Sequence, residues 1–234
     1  MTQPTVRENV LRIRERITRA AHRAGRSAEE VTLIGVSKTQ PANAIREAYE
    51  AGVRQFGENR VQEWEGKRAG TEGLAATWHL IGHLQSNKAA RAARLFHSVD
   101  SVDDLSLAQK LDRARVEAGI TGKLRVLIEV RVGKEETKTG AEVEQVASLA
   151  EEIAELPRLE LAGLMCIPPF LEDAVQVRPY FRRLRELRDS LVGKLRIALP
   201  VLSMGMSHDF EAAIEEGATE VRVGTALFGV REVK

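Results

Sequence analysis

Several large protein classes are excluded by what the sequence lacks. One cysteine, Cys166, stands among 234 residues, so no intramolecular disulfide can form and a reducing cytoplasm is the expected compartment. Charge of one sign is missing too: 35 Lys plus Arg face 34 Asp plus Glu, a formal net charge of +1. No basic field is expected to gather nucleic acid or an anionic membrane, and a phosphate partner would have to be recognised locally. No apolar run reaches the length that spans a bilayer. The basic amino terminus is interrupted by Glu8 and Glu15 and no apolar segment follows, which fits neither a secretory signal nor a transit peptide. Also missing are a Walker P-loop, G-x-S-x-G, H-E-x-x-H and any Pro-, Gly- or Ser-rich linker. The expectation is one domain over residues 1–234, working as a monomer.

What is present is alternation of strand and helix patterns. Val6, Val10, Ile13, Ile17 and Ala24 recur at helical spacing, with Arg7, Arg12, Arg14, Arg16, Arg19 and Arg23 over much of the rest. Interleaved acids and the lack of aromatic residues there favour a solvated helix face over a nucleic-acid face. Ser27 to Glu30 reads as a capping box before the first strand. Thr32, Ile34, Val36 and Lys38 share one strand face. Pro41 opens a helix whose apolar stripe is Ala44, Ile45, Ala48 and Tyr49, and Gly52 ends it. Further strands are predicted at Gln55 to Asn59, Ala76 to Gly82, Phe96 to Ser101, Leu124 to Val132, Leu159 to Ile167, Val201 to Met206 and Glu220 to Phe228. Helices are predicted between them, over Arg60 to Gly70, Asn87 to Leu95, Val102 to Gly119, Gly140 to Leu156, a long segment with Phe181, Leu184, Leu187 and Leu191 inward, and Ser207 to Gly217. Eight β/α units in a chain of this length predict an α/β protein, a single (β/α)8 TIM barrel with an extra amino-terminal helix. A doubly wound sheet is the alternative.

Barrel chemistry sits at the carboxyl ends of strands, and that rule selects Lys38, Asn59, His79, Met165, Ser203, Gly224 and Thr225. Lys38 is either a strand-end lysine that snorkels to water or a desolvated amine able to attack a carbonyl. Ser203, Gly224 and Thr225 supply hydroxyls and close backbone approach suited to a phosphate, or else ordinary turn chemistry. Arg222 shares parity with Gly224, so it points inward, either to an acid such as Glu129 or Glu220 or to an acceptor on a bound ring. His79 and His83 read as strand and turn without an accompanying acid, so no metal is expected. Cys166 reads as a buried structural thiol.

The segments GVSKTQP, QFGENRVQE, WHLIGHLQSNK, TKTG, GLMCIPP, SMGMSHDFEAAI and VRVGTALFG, in this order from Val31 to Gly229, together resemble the pyridoxal 5′-phosphate (PLP) homeostasis proteins. The resemblance implies a PLP fold-type III barrel like the amino-terminal domain of alanine racemase, with PLP held as a Schiff base by Lys38. It implies Ser203, Gly224 and Thr225 around the phosphate, Arg222 by the pyridine nitrogen, and Asn59, His79 and Met165 near the ring or its imine. Lys138 is a secondary lysine to watch. Two departures stand out: Cys166, where the family often has a small residue, and the tail VREVK, which lacks the tyrosine commonly found there.

Two functions follow from the resemblance. The first is a non-catalytic holder of PLP that serves vitamin B6 and amino-acid homeostasis, with amino acids and PLP-dependent client enzymes as partners. The second is a PLP enzyme such as an amino-acid racemase. The sequence stops five residues after Gly229, without the additional β domain of alanine racemases, and its tyrosines, Tyr49 and Tyr180, fall in predicted helices. Both features favour the holder. A sugar-phosphate lyase with Lys38 as its Schiff-base lysine is a third reading, although such a lysine usually stands on a later strand beside an acid/base pair.

Overall fold

The computed structural model describes residues 4–133 and 139–229. Eight parallel strands close into a barrel in sequence order, β1 pairing with β8. Helix α1 (Val6–Arg23) begins at a capping box in which the Thr5 hydroxyl accepts from the Glu8 amide and the Glu8 carboxylate accepts from the Thr5 amide. Its apolar stripe, Val10, Ile13 and Ile17, is buried. A short 3₁₀ turn capped by Ser27 then leads into β1 (Thr32–Val36).

The alternation continues with α2 (Ala42–Glu50), β2 (Gln55–Glu58), α3 (Val61–Arg68), β3 (Thr77–Leu80), α4 (Ala89–Leu95) and β4 (Ser98–Val102). It then runs through α5 (Leu105–Glu117), β5 (Leu124–Glu129), α6 (Val146–Ala154), β6 (Leu159–Met165) and α7 (Arg178–Leu195). The last elements are β7 (Val201–Ser203), α8 (Phe210–Glu215), β8 (Glu220–Val223) and α9 (Thr225–Phe228). Outward strand residues such as Phe56, Trp78 and Val221 pack under the helices in one continuous core.

The eight-unit barrel agrees with the sequence pattern, and the differences lie at element ends. Val102 belongs to β4, and α5 starts only after Asp104, whose carboxylate accepts from the Leu107 amide. The helix expected from Gly140 starts at Val146, because Ala141 still pairs with the end of β5. The strand expected to run to Phe228 stops at Val223, and Thr225–Phe228 is helical. The Ser207 hydroxyl accepts from the amides of Gly224 and Ala226, each at 3.2 Å, and so turns the chain there. Lys38 lies two residues beyond the end of β1, and Pro41 stands at the cap of α2 rather than inside it.

Inside the barrel a glycine is required where β6 meets β7: a β-carbon on Gly163 would lie 2.0 Å from the Val201 carbonyl oxygen. Gly163→Ala should therefore force the two strands apart and cost about 2 kcal/mol, an overpacking penalty that lowers the melting temperature by roughly 4–8 °C. An unchanged melting temperature would show that the sheet yields here at no cost.

Candidate functional site

The barrel interior is polar toward the strand starts. His79 is fully buried, its Nδ1 3.0 Å from Asp100 and its Nε2 2.8 Å from Gln55. Arg125 donates to Glu220 at 2.6 Å. Because β5 and β8 are not neighbours, that bond crosses the interior. Ser98 donates to Asp100. Burial pushes the Asp100 carboxyl up, but His79, then Arg125 and Ser98, outweigh it and hold it below its ordinary value. Glu220 moves the other way, raised by burial and by the Asp100 charge against the pull of Arg125. His79, Asp100 and Glu220 bring possible ligand atoms within 4.8 Å of one another. Arg125 already supplies the cation that balances them, so the group reads as an ion network rather than a metal centre.

Above this layer Met165 fills the barrel with Leu127, Ala162 and Val201, and the strand ends open into the mouth. Arg222 is 3% exposed. It donates to the Ser203 hydroxyl and to the Cys166 carbonyl, each at 2.8 Å. Among the described residues no carboxylate lies within ion-pair distance of it, and Glu220, one of its two expected partners, is taken by Arg125. The guanidinium is thus held by neutral acceptors. The amides of Gly224 and Ala226 converge on one oxygen, that of Ser207. A phosphate oxygen would be suited to such a place, and the exposed Thr225 lies between them. Burial pushes the Cys166 thiol up to about 12.

Lys38 is half-buried at the mouth, and its neighbours are clamped from outside the barrel. Ser37 donates to Glu58 at 2.6 Å, and Lys67 donates to the Ser37 carbonyl at 2.7 Å and to Glu58 at 3.0 Å. The Thr39 amide donates to Glu63, which pairs with Lys67 at 2.6 Å. Thr39 holds a left-handed backbone with φ of 64°. A β-branched residue adopts that conformation only under compulsion from its surroundings, and this clamp supplies it.

The alanine racemase amino-terminal domain family matches residues 9–232. Relatives named pyridoxal phosphate homeostasis protein include that of Aquifex aeolicus, 49% identical over 96% of this chain and 98% of the relative. That of Escherichia coli K12 is 43% identical over 97% of each. The chain belongs to this family. PipY of Synechococcus elongatus, solved with PLP bound, superposes with a TM-score of 0.80 at 41% identity, covering 86% of this chain and 93% of PipY. Alanine racemase of Clostridium difficile has a TM-score of 0.75 at 16% identity, over 97% of this chain and 58% of that one. That likeness is one of fold. No helix among the described residues is long and apolar enough to cross a membrane.

Of the residues selected from the sequence, Ser203 and Arg222 touch, while Met165 pairs with Ser203 in register between β6 and β7. Gly224 approaches the end of β1, where its β-carbon would lie 3.4 Å from Val36. His79 stands apart, in the polar layer with both ring nitrogens engaged. Asn59 lies against Gly82, on the β2–β3 side of the mouth. Lys138 and the tail beyond Gly229 lie outside the described residues. A groove of about 1000 Å³ beside Trp64, Trp78 and Phe96 opens at the strand starts, the opposite end from Lys38. Sequence reasoning missed Ser207, Lys67 and Glu58. Ser207 carried a signal, a hydroxyl just before a predicted helix, but the buried pair carried none.

Removing one member of the clamp leaves a buried charge alone. Lys67→Met should cost about 3 kcal/mol of folding stability, measured by denaturant unfolding, and a loss below about 0.5 kcal/mol would reduce the pair to a surface ion pair. Glu58 gives the sign of the pH effect. Burial raises its carboxyl above the ordinary 4.5, against Ser37 and Lys67. The folded state therefore holds this proton more tightly than the unfolded chain, and the contribution of Glu58 to stability declines as pH rises through the raised value. Between pH 4.5 and neutrality, the stability of the wild type relative to Glu58→Gln should fall.

Proposed function

We propose that this protein binds PLP as a Schiff base on Lys38 and serves PLP and amino-acid homeostasis as a holder of the cofactor, without turnover of its own. The observation that carries this reading is the 41% identity to PipY, solved with PLP bound, across 86% of this chain. The relatives' naming as homeostasis proteins supports the non-catalytic role. In this reading the protein is one barrel domain over residues 1–234, a cytoplasmic monomer whose partners are PLP, amino acids and PLP-dependent client enzymes.

The residues suit the group. PLP supplies an aldehyde, a pyridine nitrogen and a phosphate. Lys38 would hold the group through its amine, and the aldehyde would supply the carbonyl that an amine can capture with loss of water. Ser203, Gly224 and Thr225, with Ser207, surround the phosphate. Arg222 would donate to the ring nitrogen, and Asn59 and Met165 would stand nearer the ring and the imine, while His79, expected beside them, lies in the layer below with both ring nitrogens engaged. A guanidinium does not give up its proton to a pyridine, so beside Arg222 the ring nitrogen would stay unprotonated and withdraw electrons weakly. That weakness suits storage better than amino-acid chemistry.

Borohydride reduction should fix the cofactor to Lys38, and Lys38→Ala should lose that label while keeping its fold. Peptide mapping that finds the wild-type label only on another lysine refutes the assignment. Nitrogen-15 NMR of labelled PLP on the wild type should report an unprotonated pyridine nitrogen, and a protonated one removes the role given to Arg222. Saturable amino-acid turnover at ordinary enzyme rates, of order 1 to 1,000 per second, would return the protein to the enzymes.

A further inference from the structure

Glu129 ends β5 with 3% of its surface exposed. Its Oε1 accepts from the Thr139 hydroxyl at 3.0 Å, whereas Oε2 is buried without a hydrogen-bond partner. Buried carboxylate oxygens are rarely left so, and one that is marks a place for a donor. The carboxylate borders a cavity of about 140 Å³ whose other walls include Arg131, itself paired with Glu142, and Thr139, Val132, Gly133, Ile167 and Pro169. One end of this space is the Glu129 carboxyl, and apart from the paired Arg131 and Thr139 much of the rest is aliphatic.

The chemistry of the walls selects the ligand. An oxygen that only accepts calls for a donor, and an ionised carboxylate favours a cationic one. A single carboxylate is too few ligands for a hard metal ion. The volume corresponds to roughly four or five waters, enough for a compact aliphatic body but not for a sugar or a nucleotide. Burial raises the Glu129 carboxyl, as does the charge of Asp103, while Thr139, Arg222 and His83 act against them. A cation bound at Oε2 would add to the second group and hold the carboxyl ionised.

We infer that this cavity is an amino-acid subsite, in which the α-ammonium of a small aliphatic amino acid donates to Glu129 Oε2 and its side chain rests against Val132, Ile167 and Pro169. The reading of the protein as a PLP holder enters only in choosing an amino acid among small ammonium compounds.

The test is calorimetric titration of the purified protein with n-propylammonium and with L-alanine, after borohydride treatment so that imine exchange contributes no heat. Both probes should bind the wild type, and Glu129→Gln, which keeps the bond to Thr139, should weaken both by roughly tenfold to a hundredfold, the worth of a charge-assisted hydrogen bond. Ile167→Phe, at a half-open position that tolerates bulk, should fill the cavity and abolish binding. Before reduction, both variants should show the yellow imine band of the wild type. Equal affinity in Glu129→Gln overturns the inference, as does binding of neutral propionamide as tightly as n-propylammonium, or no binding at all. If the wild type lacks the imine band yet binds n-propylammonium through Glu129, the PLP reading fails and the cation subsite stands.

Discussion

The bond from Arg125 to Glu220 joins strands on different sides of the barrel, and the Arg125 guanidinium also lies 3.4 Å from both His79 and Ser98. A closed barrel must fill its interior with side chains, and charges taken from water there need partners at once. Five strands contribute to this one network: Gln55 from β2, His79 from β3, Ser98 and Asp100 from β4, Arg125 from β5 and Glu220 from β8. Replacing it with packed aliphatic side chains could be as stable. What the charges add is intolerance of error, because a one-residue slip of any contributing strand would turn a charged group into the apolar layer under the helices. The register that places Met165 beside Ser203, and the strand ends above them, inherits that discipline.

A second buried pair acts from outside the barrel. Glu58 and Lys67 lie between β2 and α3 and hold the backbone on both sides of Lys38, through the Ser37 hydroxyl and carbonyl and, by way of Glu63, the Thr39 amide. A lysine carries four rotatable bonds, so an amine that must meet a ligand in one place gains most from a rigid backbone beneath it. The strained Thr39 fits the same account, since a left-handed β-branched residue persists only where its neighbours over-determine it.

Much of the fold was legible because the barrel repeats a simple pattern. Apolar alternation marked the strands, and stripes such as Val10, Ile13 and Ile17 marked the helices. Strand ends were less legible, since the apolar run VRVGTALF carries no sign that the chain turns at Gly224. The turn comes from Ser207, seventeen residues earlier. Parity placed Arg222 inward but could not choose its partners, because Ser203 in β7 and Cys166 just after β6 are set by a strand stagger that is a property of the closed barrel. The same limit hid the buried network, whose cross-strand hydrogen bonds join residues 21 to 95 apart in sequence. Alternation tells which face a residue takes, not which residue across the barrel it will meet.

The mouth also narrows the chemistry open to an arriving carbonyl. Cys166 is fully buried and its thiol is pushed up to about 12, so the thiolate that would attack is scarce at neutral pH. The Ser203 hydroxyl is occupied as an acceptor from Arg222, a cation that cannot take its proton, and the Ser207 hydroxyl is occupied as an acceptor from two amides. The Lys38 amine differs in kind. An amine in its neutral form needs no neighbouring base to be nucleophilic. Among the described side chains of the mouth, an aldehyde would therefore react with the amine before any hydroxyl or thiol, and the selection comes from withholding bases from the competitors.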